Sequence, residues 1–153
     1  MEHTVDWTIK HFTELTALEY HHILALRTDI FVVEQDCPYQ EVDYKDLHSY
    51  HVWGTIDGKA IAVIRIVEPG TSYQEISIGR VAVAMEYRGT NVGNDLMTKS
   101  IDFIQKKLGK QPIRISAQEH LKSFYTRFNF EQVSEMYLED DIPHIEMLRI
   151  LQD

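Results

Sequence analysis

The residues with the plainest chemical use are Arg88, Gly89, Thr90, Asn91, Val92, Gly93 and Asn94, within RVAVAMEYRGTNVGNDLM (residues 80–97). An apolar strand-like run, a short polar turn and an amphipathic helix follow one another. Where a loop enters a helix, the first backbone N–H groups lack intrahelical partners and the dipole is positive, so the turn can hold an anion such as a phosphate. Such loops usually carry several glycines. Here Asn91 stands between Gly89 and Gly93, where a third is expected. Asn tolerates a left-handed backbone better than other non-glycine residues, so the exchange is read as costing ~1 kcal/mol and leaving a working cradle. The bland alternative is a plain strand–helix turn.

Candidates for proton transfer are more scattered. His144, beside Pro143 in a late hairpin, is of the residue type that ordinarily titrates near neutrality. Glu75, Glu119 and His120 are further candidates by position. Arg80 follows Gly79 in a strand-like run; it faces either solvent or an interior where it must be paired. Cys37 precedes Pro38 in a polar loop with no activating base beside it, which reads as structural rather than nucleophilic. Asp43, Asp46, His48 and His51 lie within nine residues but match no zinc spacing, so no metal is expected.

The elements that must position these residues are legible from period and punctuation. Val5, Trp7 and Ile9 alternate as a first strand; Thr13 is placed to cap a helix with Leu15, Leu18, His22, Leu26 and Phe31 as its stripe. This helical region is broken in two or dissolves near EQDCPYQEVDYKD. Two strand runs joined through Asp57-Gly58 read as a hairpin with a type I′ turn. EISIGRVAVA is a third long strand. Residues 94–108 then form a helix ended by Gly109, PIRISA a short strand, and HLKSFYTRF a short helix ended by Asn129 in a left-handed conformation. FEQVSEMYLE and HIEMLRIL close the chain as two strands. This order predicts one α+β domain over residues 1–153, with an α/β/α layering rather than a doubly wound sheet.

Composition narrows the class. The chain has 153 residues, 44% hydrophobic, with 15 basic and 24 acidic side chains and a net charge of −9. No basic patch suits nucleic acid, and the acidic field favours cationic partners, small amines included. No apolar run reaches the ~20 residues of a membrane span, MEHTVDWTIK lacks the order of a signal peptide, and a single cysteine forms no intrachain disulfide. A cytoplasmic protein without membrane association is expected.

With VAVAMEYRGTNVGNDLM and ISAQEHLKSFYTRFNF in view, the chain resembles the GNAT superfamily of acyl-CoA-dependent N-acetyltransferases over essentially its whole length. The first segment is similar to the signature R/Q-x-x-G-x-G/A, on which Arg88, Asn91 and Gly93 fall. The second is similar to F-Y-x-x-x-G-F, with Phe124, Tyr125 and Phe130 in place and Asn129 replacing a glycine. LRTDIFVVEQDCPYQEVD, IGRVAV and EDDIPHIEM together resemble the ElaA-like branch. The resemblance implies a mixed, mostly antiparallel sheet with splayed parallel strands, flanked by about four helices. It implies acetyl-CoA as cosubstrate, with pyrophosphate on residues 88–94 and pantetheine along Val81, Ala82 and Val83. It implies Tyr125 as general acid, Glu34 as a base candidate beside His144, with deprotonation through water alone as the alternative, His51 near the acceptor pocket, and direct attack by a primary amine, small-molecule or peptide, in a ternary complex. A non-catalytic acyl-CoA-binding module on the same fold is the alternative reading. The last hairpin offers an edge for homodimer formation.

Overall fold

The computed structural model describes residues 4–150. Eight strands, β1 (Asp6–His11), β2 (Ser49–Ile56), β3 (Lys59–Val67), β4 (Ile76–Val83), β5 (Ile113–Gln118), β6 (Phe130–Gln132), β7 (Tyr137–Glu139) and β8 (Ile142–Arg149), form one sheet. Their order is β1-β2-β3-β4-β5-β8-β6, with β7 also on β8; only the β4–β5 pair is parallel. Three α-helices accompany it: α1 (Ala17–Arg27), α2 (Val92–Phe103) and α3 (Lys122–Thr126). A π-helical segment, Thr28–Glu34, continues α1 and gives the expected broken first helical region; a shorter one, Ile104–Leu108, continues α2. Within β3 every residue from Ala60 to Val67 is buried although successive side chains point to opposite faces, so both faces of the sheet are covered.

The expected β2–β3 hairpin is present, with Asp57 at φ 51° and Gly58 at φ 78°. Asn129 ends the α3 region at φ 69°, the left-handed angle read from the sequence. Three local readings are corrected. Thr16, not Thr13, caps α1: its side chain accepts from the Glu19 N–H while Glu19 reaches back to the Thr16 N–H. Leu18 is 64% exposed and His22 is exposed; the buried face of α1 is Ile23, Leu26 and Arg27, followed by Ile30. An arginine in that stripe breaks the apolar period, which is why the register is misread from sequence. FEQVSEMYLE is two short strands on one edge of β8, because Ser134 interrupts the ladder and its hydroxyl accepts from the Glu146 N–H at 2.8 Å. The last strand ends at Arg149, and Leu151 lies outside the described residues.

Arg27 belongs to a buried ion network. Its Nε meets Glu41 at 2.7 Å and its Nη1 meets Asp46 at 2.9 Å. Arg65 on β3 binds Asp43 at 2.7 Å and Asp46 at 2.9 Å, and Arg80 on β4 binds Glu41 at 3.0 Å. Tyr20 and Tyr39 donate to Asp46 and Glu41. Three guanidinium groups thus face three carboxylates across α1, the sheet and the 39–48 segment. Burial pushes the Asp46 carboxyl up, but the charges and hydrogen bonds of Arg27, Tyr20 and Arg65 outweigh it and hold the group below its ordinary range.

The network also holds a distortion in β4. Val63 pairs with Ala82 and Arg65 with Gly79, so Ile64 faces both Arg80 and Val81. Arg80 takes up the extra residue at φ 51°. An arginine at that angle is strained; its ion pair to Glu41 and its stacking over Tyr39 at 5.5 Å and Phe31 at 6.0 Å hold it there. By the bulge β4 has already parted from β5: the two pair only at Ile76–Ile113 and Ser77–Arg114.

Replacing Arg27 by Met is expected to destabilise the fold by about 3 kcal/mol in urea unfolding, near the low end for breaking a buried ion pair because Arg80 and Arg65 still face Glu41 and Asp46. A loss under about 0.5 kcal/mol would show the network to be energetically idle. Because folding depresses the Asp43 and Asp46 carboxyls, the stability they contribute is present above their unfolded pKa of about 3.9 and is lost as pH falls through the folded values; an acid-unfolding midpoint below pH 4 checks this.

Candidate active site

The opening between β4 and β5 holds two connected cavities, of about 240 Å3 and 610 Å3. They share Phe31, Gln35, Val81, Gln118, Leu121 and Tyr125. Tyr125 comes from α3 and is 6% exposed; burial alone raises its phenol above the ordinary value, so it keeps its proton at neutral pH. Phe124, Phe128 and Phe130 crowd around this ring system edge-on, which fixes its position.

The larger cavity runs from Val81, Ala82 and Val83 to the start of α2, where Arg88, Gly89, Thr90, Gly93 and Asn94 line it. Gly89 turns the chain at φ 77°. Asn91 sits at φ −84°, ψ 4° as the residue before α2, not in the left-handed region, and its side chain makes no capping bond. The expected strain at Asn91 is therefore absent: the left-handed turn falls on Gly89 instead. The first intrahelical backbone bond is from the Asp95 N–H to Asn91 at 2.9 Å, while the Val92 N–H reaches only the Thr90 hydroxyl, at 3.4 Å. The N–H groups of Gly93 and Asn94 precede that ladder and face no capping side chain. A Cβ on Gly93 would stand 3.9 Å from Phe124 and Val83, so a bare backbone keeps this wall of the cavity open. Arg127 lines the same cavity and lies 5.3 Å over Phe124. Uncapped amides, a helix N-terminus and the guanidinium of Arg127 form a set of donors that fits a polyphosphate, with Arg88 beside them paired to Glu34.

Arg88 donates from Nε to the Val83 carbonyl at 2.8 Å and forks onto Glu34 at 2.7 and 3.0 Å. Glu34 therefore stands in the larger cavity, joined to the turn. His144 lines the smaller cavity instead. It is 7% exposed, stacked on Tyr137, with Nδ1 2.7 Å from the Ile142 carbonyl and Nε2 3.3 Å from Glu139. A carbonyl and a carboxylate both only accept, so the two contacts together are matched by a ring protonated on Nδ1 and Nε2; when the ring is neutral, the carbonyl keeps the proton on Nδ1 and Nε2 is the nitrogen left basic.

The remaining candidates separate. Arg80 lines the smaller cavity, resolving its facing toward the interior. Cys37 is also there, its thiol 3.8 Å from the Asp140 carbonyl and raised above its ordinary value by desolvation and by Asp140, Asp141 and Asp36. His51 is fully buried, bonded to the Asp46 carbonyl and in ring contact with Tyr20, and lies outside both linings. Asp43 and Asp46 are engaged by arginines. Glu75 pairs with Arg114 outside both linings, and His120 lines the larger cavity. Sequence reasoning missed Glu139, Gln118 and Ser116. The last two had a signal: Arg114, Ser116 and Gln118 alternate with the buried Ile113, Ile115 and Ala117, a polar face on a strand beside a cleft.

Comparison with known proteins agrees with this geometry. A sequence profile described as acetyltransferase (GNAT) domain matches residues 25–151. Protein ElaA of Escherichia coli is 38% identical over 147 residues, covering 95% of this chain and 96% of that protein. Its crystal structure superposes with a TM-score of 0.90 at 37% identity, over 95% of this chain and 99% of the other. An acyl-CoA N-acyltransferase from Pseudomonas aeruginosa superposes with a TM-score of 0.91 at 42% identity, again over 95% and 99%. Among the described residues no helix is long and apolar enough to cross a membrane. A cleft beside a bulged β4, an uncapped helix N-terminus at its mouth and these full-length likenesses lead to one conclusion: the chain is an acyltransferase-fold protein of the GNAT family, on its ElaA-like branch.

Proposed function

We propose that the protein transfers an acetyl group from acetyl-CoA to a primary amine by direct attack in a ternary complex. One observation carries this reading: two cavities of different chemistry meet at the buried hydroxyl-bearing ring of Tyr125. The larger has the donors a pyrophosphate needs, at Gly93, Asn94 and Arg127, with Arg88 alongside, and continues along the part of β4 that has left β5. Bound there, CoA supplies an activated acyl group as a thioester.

The chain's own residues then have separable tasks. Amides of residues 93 and 94 and the guanidinium of Arg127 face the phosphates, while Arg88, balanced by Glu34 and bonded to the Val83 carbonyl, holds the turn in place. The edge of β4 from Val81 to Val83 offers backbone groups to an extended arm, as an added strand would use them. Phe31, Leu121 and Phe124 keep water from the junction. Tyr125, protonated because it is buried, donates toward the departing sulfur. Among the base candidates Glu34 is committed to Arg88, whereas His144 lines the second cavity with Nε2 as its basic nitrogen. His144 takes the proton from the incoming ammonium there, and Glu139, 3.3 Å away, stabilises the cation formed. An acyl-cysteine route fits poorly, since the acidic neighbours of Cys37 disfavour its thiolate.

Gly93→Trp is expected to abolish acetyl-CoA binding in calorimetry, because the indole would fill the phosphate end of the larger cavity. Undiminished binding would remove the cradle from the reading. Tyr125→Phe should lower kcat by about 10²-fold or more with KM for acetyl-CoA little changed, in a thiol-release assay. His144→Gln should flatten the ascending limb of the pH–rate profile; an unchanged limb would dismiss His144 as the base.

A further inference from the structure

Within that transferase reading, we infer that the acceptor is an amino carboxylate, with its amine at the Tyr125–His144 end of the smaller cavity and its carboxylate at the Lys45–Arg65 end. Lys45 lines this cavity, half-buried, and has no ion pair or side-chain hydrogen bond among the described residues. Arg65 is 5% exposed; its terminal nitrogens bind Asp43 and Asp46, but its Nε is buried without a partner. A Cβ built on Gly79 would lie 4.0 Å from that Nε and meet nothing else within that distance. The space above Gly79 is therefore open, bordered by a buried donor that lacks an acceptor, and such donors are costly to leave unpaired. A carboxylate oxygen seated over Gly79 supplies the missing acceptor.

Charge points the same way. Arg27, Arg65 and Arg80 are balanced by Glu41, Asp43 and Asp46, so Lys45 leaves this end with one uncompensated positive charge. At the other end Glu139 lines the cavity 3.3 Å from His144 Nε2 and suits an ammonium group. The cavity is dipolar, and a zwitterion laid along it is matched at both ends.

The span selects among amino acids. Gly79 and Val81 both line the cavity, and Val81 also borders the junction at Tyr125. With the bulged Arg80 between them, the interval is a little shorter than the roughly 6–7 Å that two extended residues cover. An α-amino acid carries its amine and carboxylate on one carbon and cannot bridge that interval. An ω-amino acid with three or more methylenes does.

The test uses 4-aminobutyrate, n-butylamine and 1,4-diaminobutane, which present a carboxylate, a methyl and an ammonium at the far end of similar chains. Thiol release from acetyl-CoA gives kcat/KM for each, and calorimetry gives binding, on the wild type, Gly79→Ala and Lys45→Met. Gly79 lies outside the left-handed region and its added methyl meets only Arg65, at ordinary contact distance, so the variant folds. The expected result is at least a tenfold preference for 4-aminobutyrate, reduced at least tenfold relative to n-butylamine in either variant. Equal or better turnover of n-butylamine or the diamine overturns this inference and leaves the transferase reading standing. If no acceptor is turned over and acetyl-CoA does not bind, the transferase reading falls. Calorimetric binding of 4-aminobutyrate then decides the inference: binding weakened by Gly79→Ala supports it, and no binding overturns it.

Discussion

The buried ion network of Arg27, Arg65 and Arg80 with Glu41, Asp43 and Asp46 is the constraint on which the rest of the site depends. Burying four of these six charges, with Arg80 and Asp43 half-buried at the margin, brings no large net gain in stability, because desolvation offsets most of the attraction. What it brings is geometry. Residues 39–48 contain no strand or α-helix, yet their carboxylates bind guanidinium groups from a helix and two strands at fixed distances. A chain segment that lacks its own ladder is thereby held as a wall of the smaller cavity.

The same network accounts for the bulge. Arg80 at φ 51° would relax in an isolated hairpin, but Glu41 and the rings of Tyr39 and Phe31 hold its side chain on the cavity side. The parallel pair of β4 with β5 ends at Ser77, and the extra residue at Arg80 lies on the stretch that has already left β5. The result is a cleft in the middle of a sheet, where backbone groups are free for a ligand and helices cover both faces. Strain in one residue, ion pairing in a loop and an opening between strands are three aspects of one arrangement.

Within the cleft the two cavities divide the electrostatics. Uncapped amides and Arg127 make the larger one suited to anions. In the smaller one Glu139 stands beside His144, and Lys45 brings a positive charge. Tyr125 lies between them in surroundings apolar enough to keep its proton.

Local residue choice alone determined a good deal of this protein. Period and turn chemistry placed the hairpin at Asp57-Gly58, the left-handed Asn129, the α2 stripe and the loop–helix entry at Gly89, because each depends on neighbours within a few residues. The resemblance to GNAT proteins rested on those same local signatures. Tertiary structure decided everything that depends on distant partners. Arg27 is buried on α1 only because Glu41 and Asp46, distant in the chain, come to meet it. Asn91 looked strained until Gly89 took the left-handed turn. The interruption between β6 and β7 depends on one hydroxyl of Ser134 meeting the Glu146 amide. Glu34 and His144, both read as bases, were parted into different cavities by Arg88 and by β8. Spacing along the chain carries information about a turn or a helix face; the pairing of buried charges carries it about which distant segments meet, and that is settled only when the chain has folded.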